Sequence, residues 1–139
     1  MIFFDTSTAI QILNGNPSIE EFYEKFDTSQ FYITAPSIFK LYNGLYKLKY
    51  LKKKISKQQY KKINKDLEIL VNQLTIYSLD KKAADIGAKI HMQLKGKGEE
   101  IDIFDYLIVA IIITNGFKEI ITLNRTHFEK IIGLVVYSF

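Results

Sequence analysis

Apolar residues alternate along this chain between short unbroken runs and longer helical stripes. Met1–Phe4 is wholly apolar and too short for a helix, and Phe31–Thr34 and Leu74–Tyr77 are rich in β-branched and aromatic residues, so all three read as strands. Glu119–Leu123 and Leu134–Tyr137 add two more near the end. Between the strands, Ser18–Phe26 reads as a short amphipathic helix. Pro36 suits the first turn of a helix carrying the Leu41, Leu45 and Leu48 stripe, and Ser56–Gln73 reads as its partner. Asp80 is placed to cap a helix whose Ala83, Ala84, Ile86, Gly87, Ile90 and Leu94 face the sheet before Gly96 ends it, and Asp102 is placed to cap Ile103–Thr114. Connections this long permit helical crossovers, which implies a mainly parallel sheet of about five strands. The expected fold class is therefore α/β, a three-layer α/β/α domain, in which ligands bind beyond the carboxyl ends of the strands where the strand order switches.

With 139 residues and no Pro/Gly/Ser-rich linker, repeat or low-complexity tract, residues 1–139 read as a single domain long enough to bury its own core. The absence of cysteine excludes disulfides, thiolate catalysis and cysteine-based zinc sites, and two histidines, His91 and His127, are too few for a His-rich cluster. No run approaches the roughly 18 apolar residues of a membrane span, and no basic segment precedes the N-terminal apolar run, so a soluble, cytoplasmic protein with no membrane partner is expected.

The net charge is +4, and among the 19 Lys and Arg residues Arg125 is the one arginine. The positive charge is thus mostly compact ammonium, suited to attracting phosphate without reading bases. Lys47, Lys49, Lys52, Lys53, Lys54, Lys57, Lys61, Lys62 and Lys65 are interleaved with Tyr46, Tyr50 and Tyr60. That stretch is either an RNA-facing surface or a solvated helix face whose tyrosines make core or dimer contacts.

Chemistry concentrates at strand-to-helix junctions, with Asp5 after the first strand and Asp102 and Asp105 opening the apolar run Tyr106–Ile113. Asp5 and Asp105 fit the expected ligand location. Hard cations such as Mg²⁺ take oxygen ligands and keep several waters, so a few carboxylates at one sheet edge can hold them. Each acid also has a structural reading. Asp5 suits an N-cap for a helix starting at Thr6, a role compatible with metal binding, and Asp102 with Asp105 has the spacing of a capping pair. His91 reads as a packing residue. Arg125 and His127, in the loop after the Ile120–Thr122 strand, read either as surface residues or as RNA contacts.

Four segments in order resemble PIN-domain ribonucleases and, within them, the VapC-type toxins of toxin–antitoxin pairs: Phe4–Ser7, Ile33–Gly44, Ile101–Ala110 and Thr122–Leu134. The resemblance spans nearly the whole chain. It implies an endoribonuclease in which three or four acidic residues hold Mg²⁺ or Mn²⁺ and a metal-bound water, its pKa lowered by the ion, attacks an RNA phosphodiester. Carried over by residue, Asp5 matches the first family carboxylate and Asp105 the one preceding the Leu-Ile-Val-Ala helix. Asn124 matches the last site residue, and Asp102 is an auxiliary candidate. Thr6 and Ser7 match positions whose hydroxyls orient Asp5 or bind a water. RNA-contact candidates are Arg125, His127, Lys47 and Lys49. The resemblance further implies a homodimer and a cognate antitoxin that lays a segment across the acidic groove.

Lys40 departs from the pattern, standing where the family places a glutamate as its second metal ligand. At an effective dielectric of about 20, unit charges ~4 Å apart interact by roughly 4 kcal/mol, enough for Lys40 to repel a cation or to pair with Asp5 or Asp105. Weakened metal binding and impaired cleavage are expected, unless Lys40 binds the scissile phosphate directly. The substitution equally suits an inactivated toxin and a natural member that has lost its chemistry. The rival reading is a catalytically inactive PIN-fold module that binds RNA or a protein. A nucleotide-binding domain is a poor fit because no Gly-rich loop follows the first strand.

Overall fold

The computed structural model describes residues 1–25, 31–52 and 55–139. Five strands, β1 (Ile2–Phe4), β2 (Phe31–Thr34), β3 (Thr75–Tyr77), β4 (Glu119–Ile121) and β5 (Val135–Tyr137), form one sheet in the order β3-β2-β1-β4-β5. Every neighbouring pair is parallel, and Phe3 of the central strand sits level with Tyr32 on one side and Ile120 on the other. A central parallel strand is covered on both faces, which is why β1 carries no polar residue and is buried throughout.

Alternation along β1 divides the core. Ile2 and Phe4 pack with Phe31, Ile33 and Ile121 against α1 (Thr6–Leu13), α2 (Pro17–Glu24), α3 (Ala35–Lys47) and α4 (Lys57–Gln73), which contribute Ala9, Ile19, Leu41, Leu45, Leu67 and Leu70. Phe3 and Ile120 point to the other face. There they meet α5 (Lys81–Gly96), α6 (Ile103–Thr114) and α7 (Arg125–Phe128) through Leu94, Tyr106, Val109, Ile112 and Phe128. The rings of Phe3, Tyr32, Tyr77 and Phe117 lie 5.4–5.5 Å apart in tilted and edge-on pairs. Each fully buried Phe or Ile contributes roughly 1.5–3 kcal/mol from apolar burial, so this double core outweighs any single surface interaction. Helix α6 is apolar almost all round, as expected of a helix buried among the sheet, α3 and α5. Gly87 marks the close approach of α5 to α6: a Cβ there would meet Ala110 Cβ and the Tyr106 carbonyl at 3.4 Å, ordinary contact.

The expected three-layer α/β/α arrangement is the one observed, with local differences. Helix α2 starts at Pro17, where the missing N–H costs nothing, and ends at Glu24; Phe26, Lys53 and Lys54 lie outside the described residues. Helix α3 stops at Lys47 and continues as a π-helical turn over Leu48–Lys52, so Leu48 closes the stripe from beyond the α-helix. Leu74 belongs to the end of α4, its N–H bonded to the Val71 carbonyl, and β3 is shorter by that residue. Strand β4 ends at Ile121, and Thr122, whose N–H still bonds the Tyr137 carbonyl, sends its side chain into the site described next. Strand β5 starts at Val135 after Gly133 with φ 87°. Ala84 faces outward on α5 instead of toward the sheet. The caps at Ser56 and Asp80 form as expected, Ser56 in a full capping box with Gln59 and Asp80 on the Ala83 N–H.

Candidate active site

Both β2 and β4 flank β1, so the strand order switches there, and the loops beyond these carboxyl ends converge. Asp5 follows β1 directly. It is 3% exposed, and its extended backbone makes it the N-cap of α1, with Oδ1 accepting from the Thr8 N–H at 2.9 Å. The Ser7 hydroxyl donates to the same carboxylate at 2.7 and 2.9 Å from its two oxygens, and Thr122 Oγ1 donates to Oδ2 at 2.5 Å. Each hydroxyl gives its one proton to Asp5 and accepts a backbone N–H from the loop after β4: Leu123 onto Ser7 at 3.1 Å, Asn124 onto Thr122 at 2.8 Å. Asp5 is thus the hub that fixes the loop carrying Asn124. Charge-assisted bonds of this kind are about twice as strong as neutral ones.

Asp105 lies in the first turn of α6, buried, with Oδ2 3.1 Å from His127 Nδ1. Burial pushes its carboxyl above the ordinary aspartate value; the His127 hydrogen bond opposes this, nearby Asp102 raises it further, Lys40 lowers it and Asp5 raises it. Asp102 caps α6 by accepting the Phe104 N–H at 2.9 Å. A cavity of about 140 Å³ is lined by Asp5, Thr6, Ser7, Lys40, Asp102, Asp105, Asn124 and His127. Asn124 is the N-cap residue of α7, but its side chain makes no capping bond.

Lys40 stands at the rim. Its Nζ is 3.9 Å from Asp102 Oδ1 and 5.6 Å from the centre of the Phe104 ring. The expected pair with Asp5 or Asp105 is therefore replaced by one with Asp102. The physical reason is solvation: the ammonium stays half-exposed with the outermost carboxylate and does not enter among the two buried ones. Exposed pairs of this kind contribute ~0–1 kcal/mol.

Other sequence candidates fall elsewhere. Arg125 is paired with Glu129 on the surface, and Lys47 and Lys49 lie on α3 and the π-helical turn, outside the cavity. His91 packs on the Tyr106 ring, centroids 4.5 Å apart, and its Nε2 is 3.8 Å from a Glu100 carboxylate oxygen. Two residues went unrecognised as part of the constellation. Thr122, in the expected Glu119–Leu123 strand and opening the last of the four resembling segments, carries no role assigned from sequence, and its polar side chain directly after Ile120-Ile121 is the signal for one. The pairing of His127 with Asp105 had only the His127 position, three residues after Asn124, to announce it.

The donor set fits a tightly held divalent cation poorly. Asp5, Asp102, Asp105 and His127 line one cavity, but among the described residues no three His, Asp or Glu side chains are arranged to share one ion. The Asp5 carboxylate already accepts from three groups, Asp105 is engaged by His127, and Lys40 brings positive charge to the rim. The Thr6 hydroxyl on the same cavity wall is buried and without a hydrogen-bond partner among the described residues.

The sequence pattern of the PIN domain matches residues 2–133. The chain belongs to the PIN domain family. Solved structures share this PIN fold from end to end. VapBC from Salmonella typhimurium, bound to DNA, is 24% identical with a TM-score of 0.81 over 99% of this chain and 96% of that one. VapBC2 from Rickettsia felis, bound to a promoter DNA fragment, is 20% identical with a TM-score of 0.81 over 100% and 99%. VapBC-5 from Mycobacterium tuberculosis, a member of the VapBC family of toxin–antitoxin systems, is 19% identical with a TM-score of 0.69 over 99% and 95%. No curated protein matches in sequence.

Proposed function

We propose that this PIN chain is a VapC-type toxin, an Mg²⁺- or Mn²⁺-dependent endoribonuclease by descent, whose metal binding and RNA cleavage are suppressed by Lys40. The observation that carries the reading is the position of Lys40 on the wall of the cavity that holds Asp5 and Asp105, with its ammonium on Asp102. Asp5 and Asp105 would be the metal-facing carboxylates and Asn124 the amide oxygen that completes the wall. Ser7 and Thr122 hold Asp5, and His127 holds Asp105. A glutamate at position 40 would supply the missing anionic oxygen and remove a positive charge together, a change of two charge units beside the two buried acids.

A cognate antitoxin would sit beside the cavity. An apolar groove of about 460 Å³ runs between α1, α3 and α4, walled by Ile10, Leu13, Leu41, Leu45 and Leu67, and Lys40 belongs to both groove and cavity. A segment with apolar side chains in the groove would end at the acidic cavity, and the similarity to VapBC complexes supports this partner. The protein would act in the cytoplasm, as a homodimer. No helix of the described residues is long and apolar enough to cross a membrane.

The test compares Mn²⁺ binding and RNA cleavage for the parent chain and Lys40→Glu. Gain of both in the variant, and their loss again in Lys40→Glu combined with Asp5→Asn, supports a suppressed nuclease. An inert Lys40→Glu protein that still binds RNA or a partner supports the second reading, a non-catalytic module.

A further inference from the structure

We infer that the outer face of α3 is a stacking track that leads single-stranded RNA to the cavity. Phe39, Tyr42, Tyr46 and Tyr50 recur at helical spacing along α3 and the turn after it. Phe39, Tyr46 and Tyr50 lie away from Leu41 and Leu45, which face the core, while Tyr42 is half-buried against that core. Phe39, Tyr46 and Tyr50 are 55%, 46% and 62% exposed. The Tyr42 and Tyr46 rings are 6.1 Å apart and those of Tyr46 and Tyr50 6.4 Å, tilted by 31° and 54°. At the other end Phe39 lies parallel to Phe104, centroids 5.5 Å apart at 10°, and Lys40 sits over Phe104 at the cavity rim. At ~1.5 Å per residue the track from Tyr50 to Phe39 is about 16 Å long, room for several nucleotides.

Charge favours a polyanion as the occupant. Residues 35–52 contain no Asp or Glu, while Lys47 and Lys49 are exposed beside the rings and Lys49 covers both Tyr50 at 5.3 Å and Tyr60 at 5.0 Å. A second copy of the same face would meet lysine with lysine. Exposed aromatic faces take unstacked bases of any identity, which selects single strands over duplex. The inference rests on the reading of this PIN chain as an RNA-acting protein, and it adds the route by which the strand arrives.

The test is fluorescence anisotropy of a labelled unstructured RNA and of its duplex on the full chain, in EDTA, so that binding is read apart from cleavage. Tyr46→Ala/Tyr50→Ala should weaken single-strand binding by ~5-fold or more per ring, whereas Tyr46→Phe/Tyr50→Phe should bind like the parent. Lys47→Glu/Lys49→Glu, which keeps all the rings, should also weaken binding and reduce the slope of log affinity against log salt by about 1.4. Equal binding by the alanine pair and the parent, no single-strand binding by either, or equal loss on duplex overturns the track. So does a dimer that dissociates in the alanine pair with RNA affinity unchanged, which would make the face a contact between copies. An inert Lys40→Glu protein that still loses RNA binding in the alanine pair sinks the nuclease and keeps the track. Undiminished RNA affinity and cleavage by Lys40→Glu in the alanine background do the reverse.

Discussion

Replacing Thr122 by valine keeps its shape and removes one oxygen, which isolates the network around Asp5. Thr122 is fully buried, donates to Asp5 Oδ2 at 2.5 Å and accepts the Asn124 N–H at 2.8 Å. The first bond ends on a carboxylate, and bonds to charged groups contribute about 1.5–3 kcal/mol. The second leaves an N–H near the surface, where water replaces most of what is lost. The expected cost is therefore ~2–3 kcal/mol. An unfolding entropy of about 2.1 cal/mol/K per residue over 139 residues gives roughly 0.3 kcal/mol/K, so the melting temperature should fall by about 7–10 °C. Ser7→Ala should cost a similar amount, and the double variant less than the sum, because the hydroxyls serve one carboxylate. Differential scanning calorimetry with urea denaturation reads both quantities. A melting temperature within about 1 °C of the parent would refute the argument, since it would mean that the fold does not hold the Asp5 carboxylate through Thr122.

Three further outcomes follow from the same geometry. The Asp105 carboxyl is raised by burial, so the folded protein holds that proton to higher pH than the unfolded chain; stability from this site is present at low pH and is lost as pH rises through the raised value. Asp105→Asn should therefore be more stable than the parent at neutral pH and should lose that part of the pH dependence in urea titrations, and an equal loss of stability at every pH would contradict it. Gly87→Ala places a methyl at 3.4–3.5 Å from Ala110, Tyr106 and Leu107, ordinary contact, and should raise stability by about 0.5–1 kcal/mol through helix preference; destabilisation beyond ~1 kcal/mol would show that α5 and α6 pack too tightly to admit it. Asp102→Asn keeps the oxygen that caps α6 and removes the charge facing Lys40, so denaturation should shift by less than about 1 kcal/mol, and a larger loss would mean that the pair is structural.

The sheet was legible because its strands announce themselves. An all-apolar Met1–Phe4 can only be a strand covered on both faces, and Pro36, Ser56, Asp80 and Asp102 mark helix starts by mechanisms that act locally. Strand ends were less legible: Thr122 has good strand propensity and its N–H still bonds the Tyr137 carbonyl, while its hydroxyl is bound to a carboxylate 117 residues earlier, a contact no local pattern announces. The same limit applies at the site. That Asp5, Asp105 and Asn124 line one cavity followed from the resemblance and from strand-end positions, but the His127–Asp105 contact and the choice of Asp102 by Lys40 depend on side-chain directions and solvation that no spacing encodes.

The measurement closest to the central claim is calorimetric titration of Mn²⁺ into the parent chain and into Lys40→Glu, with RNA cleavage followed on the same samples. The account predicts little or no heat and no cleavage for the parent, and saturable binding with cleavage for the variant. Tight Mn²⁺ binding by the parent, or a Lys40→Glu protein that folds yet neither binds the ion nor cuts RNA, would contradict it.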